Sequence, residues 1–183
     1  MKTEIRISGS GGQGVILASV ILGTAASLYE GKETVQSQSY GPEARGGASK
    51  ADVIVSDLPV RYPKAREIDI MVCLTQKAAD KYIKTIKSGG IVIIDSDFVT
   101  ITKCRKKIKE YRLPLSSTTM DKMGKIIALN VVSLSALVAI TDIVSKDSLE
   151  KAVIDNAPKG TEKFNLKALE IGREIAQACL DNK

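Results

Sequence analysis

A strand, a glycine-rich turn and an apolar helix follow one another without a gap at the start of the chain. That order constrains the fold more than anything after it. TEIRIS (Thr3–Ser8) alternates and is rich in Ile, as a strand does. SGSGGQG (Ser8–Gly14) follows, and GVILASVILGTAASLYEGK then carries apolar residues through several helical turns to Gly31, a suitable residue for the position just past a helix end.

The rest of the chain repeats the alternation. ETVQSQ reads as a second strand. KADVIVSD (Lys50–Asp57) sets Ala51, Val53 and Val55 against Asp52, Ile54 and Ser56, and LPVRYP closes it with two prolines. EIDIMVCLT and IVIIDS are nearly continuous apolar runs of the buried-strand type, separated by QKAADKYIKTIKSGG, a helix expected to stop at Gly89–Gly90. EYRLPL is a further strand. MDKMGKIIALNVVSLSALVAITDIV reads as one long helix, apolar on most faces and therefore central or at an interface, where it would allow a homodimer of the isolated chain. SKDSLEKAVIDNAPKG and TEKFNLKALEIGREIAQACL are two more helices, each with Ser or Thr followed by an acid at capping positions. The pattern predicts a single domain over residues 1–183: an α/β fold, three-layer α/β/α and Rossmann-like. Its sheet is mixed and mostly parallel, because residues 33–57 read as strand–loop–strand without a helix.

Composition narrows the chemistry. The 183 residues include no histidine, which removes His-based triads, the common metal sites and the usual general base near neutral pH. Cys73, Cys104 and Cys179 are far apart with no CxxC, so the chain alone offers neither a zinc ribbon nor an iron–sulfur cluster. No catalytic or metal-ligating set is therefore expected, and the balance moves toward a binding module or a subunit. The N-terminus lacks an apolar signal segment, and the longest apolar runs fall short of the ~18 residues a membrane span needs. A soluble, cytoplasmic chain is expected. Between Ile101 and Lys125 eight Lys/Arg stand against two acids, equal to the whole net charge of +6. That segment is either a solvated face or a patch for a polyanion, an acidic protein or a phosphorylated ligand. Nucleic acid is disfavoured, since only Tyr111 is interleaved with the charges.

Gly9, Gly11 and Gly14 fit G-x-G-x-x-G between a strand and a helix, where unpaired N–H groups and the helix dipole favour an anion. The dinucleotide fingerprint also wants an acid at the end of the second strand, and here that strand ends in Gln36, Ser37, Gln38 and Ser39. Arg45 would suit an NADP phosphate, so an NAD(P)-binding protein or reductase with a degenerate fingerprint stays open beside a purely structural turn. It is not a Walker A loop, because no Gly-Lys-Ser/Thr follows. The second loop, SYGPEARGG (Ser39–Gly47), holds a Gly-Pro turn, a Glu43/Arg45 couple and two glycines that permit positive φ or close approach.

Together, GSGGQGVILASVILGTAA, QSQSYGPEARGGASKADVIVSD and YPKAREIDIMVCLTQKAADKY resemble the gamma subunits of the 2-oxoacid:ferredoxin oxidoreductases, a domain also found fused in the single-chain pyruvate enzymes. The form of the second loop is most similar to the 2-oxoglutarate branch. GKIIALNVVSLSALVAI resembles the family's Asn-containing central helix and FNLKALEIG its C-terminal helix. The resemblance implies a division of labour. Thiamine diphosphate and Mg²⁺ would lie between alpha and beta subunits, with iron–sulfur clusters in beta and a ferredoxin-like delta subunit. This chain would pack against them and help close over coenzyme A. The complex would convert a 2-oxoacid, coenzyme A and oxidised ferredoxin to acyl-CoA, carbon dioxide and reduced ferredoxin. The contact residues implied are Gly9, Gly11, Gly12, Gln13 and Gly14 in the first turn, with Ser39, Tyr40, Glu43, Arg45, Gly46 and Gly47 in the second.

Overall fold

Apolar residues on alternate positions of the first strand commit it to the interior, and it lies inside a six-stranded sheet. The computed structural model describes residues 1–39, 47–104 and 106–182. Its elements are β1 (Lys2–Ser10), α1 (Val15–Leu28), β2 (Glu33–Ser39), β3 (Ala48–Ser56), β4 (Ile68–Cys73), α2 (Gln76–Tyr82), β5 (Ile86–Asp95), β6 (Lys109–Leu113), α3 (Leu115–Met123), α4 (Leu129–Thr141), α5 (Lys146–Asn156) and α6 (Glu162–Asp181). The strand order is β2-β3-β1-β4-β5-β6. β1, β4, β5 and β6 run parallel, and β3 runs antiparallel to both β1 and β2. The sheet is mixed and mostly parallel, as the strand–loop–strand reading of 33–57 requires.

The two faces are covered unequally. Ile5, Ile7, Val53, Val55 and Ile93 meet α1 and α3–α6 on one side. Ile54, Met71, Val92 and Ile94 meet Ala78, Ala79 and Tyr82 of α2 on the other. On this thinner side β1 also carries Arg6, which makes a two-pronged ion pair with Asp52 of β3 at 2.6 and 2.8 Å. Arg6 also donates to Thr85 Oγ1 at 2.8 Å and lies 5.4 Å from the Tyr82 ring centroid. Two buried charges survive here because each finds its partner and further contacts.

α4 is buried along its length from Leu129 to Val138. α6 crosses it at Gly172, where an added Cβ would stand 2.3 Å from the Val132 carbonyl oxygen. Ser135 Oγ donates to Leu169 O at 2.5 Å beside the crossing. The helix expected to be central is central; buried on every side, it offers no free face for a homodimer.

Three expectations are corrected. The long helix is two helices: Gly124 adopts φ 69 and closes α3 by donating to Met120 O, and a 3-10 turn at Ile126–Ala128 leads into α4. Gly89 and Gly90 do not stop a helix. α2 already ends at Tyr82, a 3-10 turn covers Ile83–Thr85, and both glycines lie within β5. Ser145 caps α5 through Ser148 N at 3.1 Å, but Thr161 makes no such bond to α6; its side chain faces Asn165 Nδ2 instead.

Candidate functional site

β1, β2, β4, β5 and β6 end, and β3 begins, at the same edge of the sheet, so both glycine-bearing connections gather there. Register makes this concrete. Gly9 pairs with Ser49, Ser10 with Ala48, and Lys50 lies between Ser8 and Ser39. The first turn thus begins beside one stem of the second loop, Gly47–Ala48, and the other stem, Ser39, lies one strand further on. Tyr40, Glu43, Arg45 and Gly46 lie outside the described residues.

Within the first turn each residue has a different task. At Gly9 a Cβ would stand 2.4 Å from Gln13 Oε1 and 3.2 Å from Leu74 Cβ, so the strand passes close to its neighbours. Gln13 Oε1 accepts from Ser10 N at 2.7 Å and closes the turn. Gly11 and Gly12 are exposed, and Gly12 adopts φ 89. Gly14 is the N-cap of α1 at φ 69, with no side-chain cap and no acid in the first helical turn. The leading N–H groups of α1 are thereby left to a ligand or solvent.

Sequence reading passed over two residues as site members. Asn130 backs onto Gly14, where a Cβ would meet its side chain at 2.9 Å. Ser49 Oγ is buried with no hydrogen-bond partner among the described residues. Asn130 was detectable as a polar residue in an otherwise apolar helix; Ser49 becomes visible only through its register with Gly9. Asn130 also lines a cavity of about 410 Å³ with Leu17, Ile21, Val131, Asn165 and Phe164.

Asp95 and Cys73 are ionisable groups buried near this edge. Asp95 is fully buried, and burial raises its carboxyl above the ordinary value of 3.8. It accepts from Ser116 Oγ at 2.5 Å and, with Asp97, from the first N–H groups of α3. Burial pushes the Cys73 thiol up to about 12, which leaves it protonated and inert. Among the described residues no group of three or more His, Cys, Asp or Glu stands together to hold a metal ion. No described helix is long and apolar enough to cross a membrane. The described turn residues carry N–H donors and amide or hydroxyl groups but nothing that titrates near neutral pH. Through these donors and acceptors the described part of the edge can bind and orient a group.

Residues 4–175 match the model of the family described as pyruvate ferredoxin/flavodoxin oxidoreductase. A 2-oxoglutarate synthase subunit KorC of Methanocaldococcus jannaschii is 52% identical over 97% of this chain and 95% of its own length. The crystal structure of a keto/oxoacid ferredoxin oxidoreductase gamma subunit from Geobacter sulfurreducens superposes with a TM-score of 0.90 at 45% identity, covering 98% of both chains. A 2-oxoglutarate:ferredoxin oxidoreductase from Magnetococcus marinus, solved with 2-oxoglutarate, coenzyme A and succinyl-CoA bound, shares the fold at a TM-score of 0.83 and 23% identity. The likeness covers 97% of this chain and 31% of that one.

Proposed function

The chain belongs to the pyruvate ferredoxin/flavodoxin oxidoreductase family, and on that premise we propose that it is the gamma subunit of a 2-oxoglutarate:ferredoxin oxidoreductase. The observation that carries this is the end-to-end likeness to a 2-oxoglutarate synthase subunit, 52% identical over 97% of the chain. It outweighs the NAD(P)-binding alternative, which has only the glycine spacing and lacks the ribose-binding acid. The complex oxidises the oxoacid, releases carbon dioxide, forms the acyl-CoA and passes electrons to ferredoxin. Thiamine diphosphate, Mg²⁺ and iron–sulfur clusters supply the decarboxylation and electron transfer, and alpha, beta and delta subunits hold them.

The contribution of this chain is contact and orientation. The uncapped N–H groups after Gly14 face a carbonyl or phosphate oxygen of a partner or of coenzyme A. Tyr40 anchors, Arg45 supplies a forked charge that Glu43 orients, and Gly46 and Gly47 allow the backbone to come close.

Co-expression with alpha and beta subunits, followed by turnover assays with 2-oxoglutarate, coenzyme A and ferredoxin, tests the assignment. The assembled complex turns over and the purified lone chain does not; turnover by the lone chain, or failure to co-purify, overturns the reading. Arg45→Ala leaves the isolated chain folded and lowers kcat/KM of the complex by roughly 30-fold, the size of a strong contact residue. Unchanged kcat/KM removes Arg45 from the contact set.

A further inference from the structure

The basic segment is divided by the fold. Lys122 pairs with Glu174 at 2.5 Å across α3 and α6, and Lys125 lines the cavity beside Asn130. Lys103, Lys106, Lys107 and Lys109 instead lie on the connection that follows β5 and enters β6, the last strand of the sheet. All four are exposed. Lys106 Nζ donates to Ile86 O at 2.6 Å, and the Gly89 N–H bonds to Lys107 O at 2.7 Å. These bonds hold Lys106 and Lys107 beside the start of β5, at the opposite end of the sheet from the glycine turns, while Lys109 pairs with Ile91 in the middle of β5. Lys103, Lys107 and Lys109 have no ion-pair partner among the described residues.

The same connection carries two large apolar side chains in water: Phe98 is 56% exposed and Ile101 59%. Its backbone is nevertheless held firmly. Gln76 Oε1 accepts from Thr100 N at 3.0 Å and from Ile101 N at 3.3 Å, while Gln76 Nε2 donates to Ile101 O at 2.8 Å. From the other side Arg112 donates to the carbonyls of Val99 and Thr100. Exposed apolar anchors on a fixed backbone lose little freedom on docking, and like charge further along the same strap selects the partner and speeds encounter.

We propose that this strap, Phe98 and Ile101 with Lys103, Lys106, Lys107 and Lys109, docks an acidic protein surface. The strap begins at the edge that carries the glycine turns, where Phe98 follows the end of β5, and runs back along the sheet to the start of β5. Its chemistry is lysine to carboxylate along the strap, with an apolar contact at the end that holds Phe98 and Ile101. Nucleic acid fits less well, because lysine-rich single-strand sites place aromatics among the charges.

Two measurements decide it. Poly-L-glutamate titrated into the isolated chain binds at low salt and weakens on raising salt, and Lys103→Glu/Lys107→Glu lowers its affinity at least tenfold. No binding, or tighter binding to a 20-nucleotide single-stranded DNA, overturns the proposal. In the assembled complex, zero-length carbodiimide coupling joins these lysines to Asp or Glu of another protein. If they remain as open to acetylation in the complex as in the lone chain, the proposal fails. The second measurement rests on the gamma-subunit reading; the first does not, so absence of a complex defeats that reading alone.

Discussion

The two faces of the sheet are held by different means. The side under α1 and α3–α6 is a continuous apolar layer, and its closest approach, at Gly172, is backbone against helix. The side under α2 is shorter of apolar cover. Paired and hydrogen-bonded groups complete it: Arg6 with Asp52, and Glu4 with Lys2 and the N–H groups of Arg66 and Glu67. Where helices are available, area does the work; where they are few, directional bonds tie straps and strands together. Directional bonds fail when one partner is removed, whereas apolar layers fail when their volume changes.

The comparison is sharpest at Asp52. Asp52→Ala leaves Arg6, only 3% exposed, without its counter-charge and costs about 3–5 kcal/mol. Urea unfolding should show a much lower midpoint at unchanged slope, and a loss below 1 kcal/mol would mean the thin face does not depend on its ion pair. On the thick face, Gly172→Ala forces α6 away from Val132 O, a contact no rotamer change relieves. The expected loss is roughly 2 kcal/mol after the gain in helix propensity, read as a lower Tm.

Proton linkage separates the faces by sign. Glu4, on the thin side, has a carboxyl that burial alone would raise, but the Lys2 ammonium and the N–H groups of Arg66 and Glu67 outweigh this and lower it from 4.5. Its contribution is present above that value and lost as pH falls through the lowered pKa. Asp95, raised by burial from 3.8, contributes fully below that value and loses its contribution as pH rises through the raised pKa. Between pH 3 and 7 the stability of the protein relative to Glu4→Gln should grow with pH, and relative to Asp95→Asn it should shrink. Parallel trends would contradict the contrast. The smallest effect is Tyr82→Phe, which removes the bond to Ala48 O at 3.0 Å and costs about 1 kcal/mol, just above the scatter of equilibrium unfolding.

Much of this was written in apolar spacing. β1, α1, β3, β4, β5 and α6 follow from alternation, continuous runs and helical period, because burial of one face or both is what those patterns encode. The break at Gly124 was hidden because the apolar run from Ile126 onward was extended back through Met123 and Met120; only the turn from α3 into α4 reveals that the glycine ends a helix. Alternation in TEIRIS sets Arg6 opposite the isoleucines, but its burial depends on Asp52 forty-six positions away. For the candidate edge, the glycine turn was legible through its place between strand and helix, while Asn130 and Ser49 join it only through packing and register. The contact roles of Tyr40, Glu43 and Arg45 remain part of the proposal.

β3 is the one described strand that runs against the others. Because of it, Ser39 at the end of β2 and Gly47 before β3 lie on the same side of the sheet. Residues inserted or exchanged between those two points leave every described pairing in the sheet in register. A lineage can therefore vary this stretch of sequence while inheriting its scaffold unchanged.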